Sequence, residues 1–136
     1  MEYASGGNLL TYLIENEMNE EMARYYFKQI LESVKKCHAH NVLHRDLKLD
    51  NLLLTADRKT VKLCDFGISR LMKDAEVVIG KCGTPAYMAP EILRDEGYSG
   101  LKADIWSLGV IFFALVTNNV PFMSVSTEKL KNKILN

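Results

Sequence analysis

From Ile105 to Val116 the chain is apolar at every position except Ser107 and Gly109. A helix apolar on all sides has no face to offer water, so the rest of the chain must wrap this stretch. The run is far shorter than the roughly 20 residues needed to cross a bilayer. A buried core helix from about Lys102 to Thr117 is therefore expected, stopped by Asn118-Asn119-Val120-Pro121. The material available for wrapping is limited: 136 residues, 48% apolar and 25% charged, make one domain at most.

A second long helix is expected to supply the partner surface. Asn19 followed by Glu20 and Glu21 offers an N-cap oxygen and two carboxylates near the positive end of the helix dipole. Behind them Met22, Tyr26, Ile30 and Val34 form a stripe that Ala23, Phe27 and Leu31 widen, the mark of a helix with much of its girth buried. Leu9, Leu10, Leu13 and Ile14 recur at helical spacing after a flexible Ser5-Gly6-Gly7-Asn8, and Leu130 with Ile134 begins a further helix. Leu52-Leu53-Leu54 and Val61-Lys62-Leu63-Cys64 flank a polar loop and read as a β-hairpin. Gly67 to Gly83 has no sustained period and reads as a long ordered or switchable loop. The fold class expected is α+β, mainly α-helical, with a small hairpin.

The 17 basic and 17 acidic side chains cancel, which gives no electrostatic reason to expect nucleic acid or an anionic membrane as partner. Cys37, Cys64 and Cys82 are odd in number and widely spaced. They fit neither a disulfide framework nor zinc pairs and read as reduced thiols of an intracellular, cytoplasmic protein. No basic segment followed by an apolar stretch opens the chain, so no cleaved secretory signal is read in it.

The chemistry concentrates around the hairpin. Antiparallel pairing centred on Arg58 would set Thr55 against Val61, Leu53 against Leu63 and Asn51 against Asp65. An amide oxygen and a carboxylate would then meet at the open end of the ribbon, a hard donor pair suited to Mg²⁺ shared with substrate phosphates. Asp46 lies close enough in sequence to face a hydroxyl nucleophile, and Lys48 could neutralise charge on a transferring phosphoryl group. Phosphoryl transfer through a loose transition state needs little beyond such positioning and charge stabilisation.

His44-Arg45-Asp46-Leu47-Lys48-Leu49-Asp50-Asn51 resembles the catalytic loop of protein kinases, Asp65-Phe66-Gly67 their metal motif, and Ala89-Pro90-Glu91 the end of their activation segment. Each triplet alone would arise by chance. Together, in the family's order and spacing, with Gly83-Thr84-Pro85-Ala86-Tyr87-Met88 and Asp104-Ile105-Trp106-Ser107-Leu108-Gly109 in place, they identify the chain as similar to eukaryotic-type serine/threonine kinases. The wording is nearest the calcium/calmodulin-dependent and AMP-activated-like group. The resemblance covers residues 1–136, with 1–8 as the hinge and 9–136 as a C-terminal lobe cut before its last helices, and no N-terminal lobe.

The resemblance implies ATP and Mg²⁺ as cofactors and a protein Ser/Thr hydroxyl as acceptor. Asp46 would accept or orient the hydroxyl proton and Lys48 would contact the γ-phosphate, while Asn51 and Asp65 would hold the metal ions. Leu53 would floor the adenine, Met1 would guard the back of the pocket, and Glu2, Ala4 and Asn8 would belong to the nucleotide side of the site. His44, Arg45, Phe66, Gly67, Thr84, Glu91 and Asp104 would support the activation segment and loop, with His44 packed and Asp104 bonded to the catalytic-loop backbone. Lys48 and Thr84 are the serine/threonine-type residues at their positions. His38 and His40 carry no role beyond ending the long helix, where imidazolium suits the dipole.

The chain also departs from the family pattern. It lacks the Gly-rich phosphate loop, the lysine after it, that lysine's glutamate partner and the final helices. Glu91 would thereby lose its arginine partner, which for a buried carboxylate costs about 3–5 kcal/mol. The 136-residue chain alone is therefore expected to be unstable or molten. Gly80 occupies the usual activating phosphosite and has no hydroxyl, so Arg45 would lack its phosphate unless Glu76 substitutes. Asn8 and Ala114 stand where basic-directed kinases carry acids, leaving Asp50 alone for that task. Cys64 beside Asp65 is a candidate oxidation or covalent-modification site. The competing reading is a shortened kinase-like binding or regulatory module without catalysis. Retention of Asp46, Lys48, Asn51 and Asp65 favours the enzyme, since docking has no need of metal ligands.

Overall fold

The computed structural model describes residues 4–73, 77–94 and 96–136. The expectations placed on Met1, Glu2 and Glu76 fall outside those residues. Helix α1 spans Leu9–Glu15 and α2 spans Glu20–Ala39. Each starts on an asparagine: Asn8 Oδ1 accepts from Thr11 N and Asn19 Oδ1 from Met22 N, both at 2.8 Å, satisfying amides that the helix itself cannot. Ala23, Tyr26, Ile30 and Val34 are the buried face of α2. Leu31, expected within that stripe, is 40% exposed; it lies beside the face that α4 covers.

Helix α4 runs Gly100–Thr117, two residues ahead of the expected Lys102, and α5 runs Thr127–Leu135. The first residue of the helix is tightly packed. Gly100 meets Leu43 so closely that a Cβ would lie 2.1 Å from Leu43 Cδ1. Asn118, in the left-handed conformation with φ 55°, closes the helix by donating its N–H to Ala114 O. Leu108, Ile111, Ala114 and Leu115 are buried, but Ile105, Phe112, Phe113 and Val116 are between 43% and 56% exposed. Burial on all sides, as the sequence suggests, is therefore not what α4 has among the described residues. By length and apolarity α4 reaches the lower limit for a membrane span. Its buried Asp104 and its packing against α2 give it instead the role of a protein core helix.

The strands are short and form two antiparallel pairs: β1 (Val42–Leu43) with β4 (Arg70–Leu71), and β2 (Leu52–Leu54) with β3 (Val61–Leu63). β4 lies inside the stretch that reads in sequence as a long ordered or switchable loop, and Val78 adds a bridge to Tyr98. The hairpin register also differs from expectation, pairing Leu52 with Leu63 and Leu54 with Val61. The cause is the turn. Thr55 N bonds Thr60 O at 3.0 Å and Arg58 N bonds Thr55 O at 2.8 Å, with Arg58 at φ 56°. Residues 56–59 thus form a loop of even length, and Asn51 O receives Cys64 N at 2.9 Å, placing Asn51 opposite Cys64 instead of Asp65. A slip of one residue exchanges the two faces of a strand. It turns Leu52 and Leu54 fully inward and leaves Leu53 half-buried.

Helix α2 grips the turn. Tyr25 and Tyr26 hydroxyls donate to Lys59 O and Arg58 O, and Gln29 donates to Lys59 O while accepting from Val61 N, at 2.7–3.0 Å. On the other edge of β2, Gly6 N bonds Leu54 O at 2.9 Å and Leu54 N bonds Gly7 O at 2.8 Å. A Cβ on Gly6 would lie 2.1 Å from Thr55 O, so only glycine admits that approach. Two apolar clusters result, one joining α1, α2, the hairpin and α4, the other gathering Leu43, Met88, Ile92, Tyr98 and Ile134. Residues 43–49 cross from one cluster to the other.

Candidate active site

The crossing segment is anchored by leucines. Leu43, Leu47 and Leu49 are at most 1% exposed and belong to the two clusters, so the residues between them stand on rigid pegs. His44 is fully buried; Asp46 N donates to its Nδ1 at 3.3 Å, which leaves Nε2–H to donate to Cys64 O at 2.9 Å. That arrangement ties the loop to the end of β3, and Phe66 adds an edge-on ring contact with His44 at 4.9 Å. Asp104 on α4 accepts His44 N and Arg45 N, each at 3.0 Å. The two bonds hold Arg45 at φ 71°, a conformation that a non-glycine residue adopts only under external constraint.

Between those pegs Asp46 and Lys48 turn outward. Lys48 Nζ lies 3.0 Å from Asp46 Oδ2, with side-chain exposures of 21% and 13%. The Thr84 hydroxyl joins them, donating to Asp46 Oδ1 at 2.8 Å and accepting from Lys48 Nζ at 2.9 Å. Asn51 Nδ2 donates to Asp46 O at 2.8 Å and to Asp46 Oδ2 at 3.3 Å. Burial pushes the Asp46 carboxyl up, but hydrogen bonds from Lys48 and Thr84, the Lys48 charge and the Asn51 amide together hold it below its ordinary value. Asp46 is therefore an anion with a directed lone pair at neutral pH.

The nitrogen of the Asn51 amide is spent on Asp46, and its Oδ1 accepts no hydrogen bond among the described residues. Asp65 is exposed, at φ 61°, with Oδ1 accepting from Gly67 N at 3.3 Å. Each supplies a hard oxygen just beyond the open end of the hairpin, a donor set that fits Mg²⁺. Ala4 and Leu53 are half-buried along the same edge, and Asn8 bridges Leu53. The Asn8 side chain is engaged as the cap of α1.

Two residues took partners that sequence reasoning did not supply. Arg45 directs Nε and Nη2 to Cys82 Sγ at 3.0 and 2.7 Å, two residues beyond Gly80. His38 places Nε2 2.9 Å from Asp104 Oδ2; its only sequence signal was a position in the last turn of α2. Glu91, in the first turn of α3 (Pro90–Arg94), is half-buried and its side chain has no partner among the described residues. At that exposure the full cost of an unpaired buried carboxylate does not apply. Cys64 donates to Asn51 O at 3.3 Å, and burial, then the Asp65 charge, raise its thiol above the ordinary value. Both effects disfavour the thiolate, the form in which a cysteine reacts.

Residues 1–136 match the family described as the protein kinase domain, and the chain belongs to that family. It is 46% identical, over 98% of its length, to CBL-interacting protein kinase 28 of Oryza sativa subsp. japonica. It is 49% identical over 90% of its length to CBL-interacting serine/threonine-protein kinase 13 of Arabidopsis thaliana, and 41% over 98% to the probable serine/threonine-protein kinase HSL1 of Saccharomyces cerevisiae. The chain spans 31%, 25% and 9% of the lengths of these three relatives.

Proposed function

We propose that this chain carries the phosphotransfer centre of a serine/threonine protein kinase, moving the γ-phosphate of ATP to a protein hydroxyl. The observation that carries the reading is the closed triangle of Asp46, Lys48 and Thr84, with sides of 2.8, 2.9 and 3.0 Å. A carboxylate kept ionised and aimed by three donors orients an incoming hydroxyl and receives its proton as the oxygen bonds to phosphorus. The ammonium of Lys48, beside that carboxylate, would neutralise charge on the transferring phosphoryl group as the bond to the departing ADP breaks. Thr84 ties the activation segment to both groups, so the acceptor peptide and the catalytic pair are registered together. Asn51 Oδ1 and Asp65 would hold Mg²⁺, which would supply neutralisation of phosphate charge.

Ala4 and Leu53 would meet the adenine. A net charge of zero favours a protein acceptor over nucleic acid. Activation is independent of phosphate at residue 80, because Gly80 has no hydroxyl and Cys82 already engages Arg45. The test uses the full-length protein with Mg²⁺, labelled ATP and a degenerate peptide library. Label on serine or threonine supports the reading; label on none, with folded protein, overturns it and leaves the binding-module alternative.

A further inference from the structure

Resting on that kinase reading, we infer that the groove between α5 and the segment carrying Thr84 selects acid-bearing acceptor peptides. The peptide it fits has an apolar residue beside the acceptor serine or threonine and an acidic residue next beyond it, with Lys131 and Lys81 attracting the acid. The groove holds about 240 Å³. Its apolar walls are Pro85 and Met88 on one side and Leu130 and Ile134 of α5 on the other. Thr127, Leu130, Lys131 and Ile134 recur at the spacing that defines one face of a helix, and all four line the groove. A lysine on such a face lays its methylenes along apolar neighbours and keeps its ammonium at the mouth. Lys131 is exposed and forms no ion pair among the described residues. Lys81 adds a second cation from the side of the activation segment, and no carboxylate lines the groove among the described residues.

The groove lies within reach of the acceptor. Pro85 follows directly on Thr84, whose hydroxyl is 2.8 Å from Asp46 Oδ1. An extended peptide advances about 3.3–3.6 Å per residue, so a hydroxyl seated at Asp46 brings the adjoining residue, or the one after it, over Pro85 and Met88. An apolar side chain there takes itself and the groove walls out of water. The residue beyond it then meets the two ammonium groups at the mouth, where a carboxylate is attracted and a basic side chain is repelled. The rest of α5 reinforces that sign, with Lys129, Lys131 and Lys133 set against Glu128 alone.

The experiment measures kcat/KM of the full-length protein on serine peptides carrying Leu-Glu, Leu-Lys or Gly-Glu, placed in turn on each side of the serine with the first-named residue adjoining it. On one side, Leu-Glu exceeds Leu-Lys roughly tenfold through the charges and Gly-Glu roughly tenfold through apolar burial. Raising the salt shrinks the first ratio and leaves the second. Lys131→Glu brings Leu-Glu and Leu-Lys to within about twofold of each other. That comparison is a ratio within one protein sample, so loss of folded protein does not imitate it. Equal rates on Leu-Glu and Leu-Lys from both sides, or a preference that Lys131→Glu leaves in place, overturns the proposal. Wild-type protein that phosphorylates none of the peptides sinks the kinase reading. Fluorescence anisotropy with the same peptides, alanine replacing the acceptor serine, then decides the groove by the same two comparisons of affinity.

Discussion

Replacing Thr84 by Val keeps the shape of the side chain and removes the hydroxyl that joins Asp46 to Lys48. Two hydrogen bonds to ionised groups disappear, at 2.8 and 2.9 Å, while the direct Asp46–Lys48 contact at 3.0 Å remains. Each such bond contributes about 1.5–3 kcal/mol where water cannot replace it. With Asp46 13% and Lys48 21% exposed, water recovers part of the loss, so a combined cost of about 1.5–3 kcal/mol is expected. In kcat/KM that is roughly a tenfold to hundredfold decrease. The pH profile supplies a second readout. The Asp46 carboxyl lies below its ordinary value partly through the Thr84 bond, so its ionised form persists above the ordinary carboxylate range and is lost only as pH falls through the lowered value. Removing the bond raises that value, and the acid limb of kcat/KM moves to higher pH. Thr84→Ser restores both. A Thr84→Val protein with wild-type kcat/KM and an unmoved acid limb would refute the argument that Thr84 aims the carboxylate.

Other substitutions test other joints. Gly83→Ala combines φ 105° with a Cβ 2.6 Å from Arg45 O; a conformational cost of about 1–3 kcal/mol should lower the melting temperature and reduce turnover at least tenfold. Asn19→Ala removes the cap of α2 and should cost about 1 kcal/mol in urea unfolding, with kcat unchanged. Cys64, whose thiol is raised by burial and by Asp65, should react with iodoacetamide more slowly than a free thiol at about pH 8, measured by peptide mapping.

Local chemistry was the legible part of the sequence. Asn19 caps its helix because the oxygen and the amide it serves are three residues apart. The hairpin was legible as a hairpin, but its register was not, since the conformation of Arg58 decides whether the turn holds an odd or even number of residues. β4 escaped notice because a two-residue strand has no period to detect. His38 meets Asp104 across 66 positions of sequence, a contact that exists only after α2 and α4 pack together. The exposed side of α4 was hidden by composition: Phe112 and Val116 read like Leu108 and Leu115 until the neighbouring helices take their places.

The most direct measurement of what the Asp46 centre does is single-turnover phosphoryl transfer by the full-length Asp46→Asn protein, alongside equilibrium binding of Mg²⁺–ADP. Asparagine keeps the size of the side chain and cannot take the proton. Transfer to a serine peptide should fall by roughly two to four orders of magnitude while nucleotide affinity stays within about threefold of wild type. An Asp46→Asn protein that transfers phosphate at the wild-type rate would contradict the account at its centre.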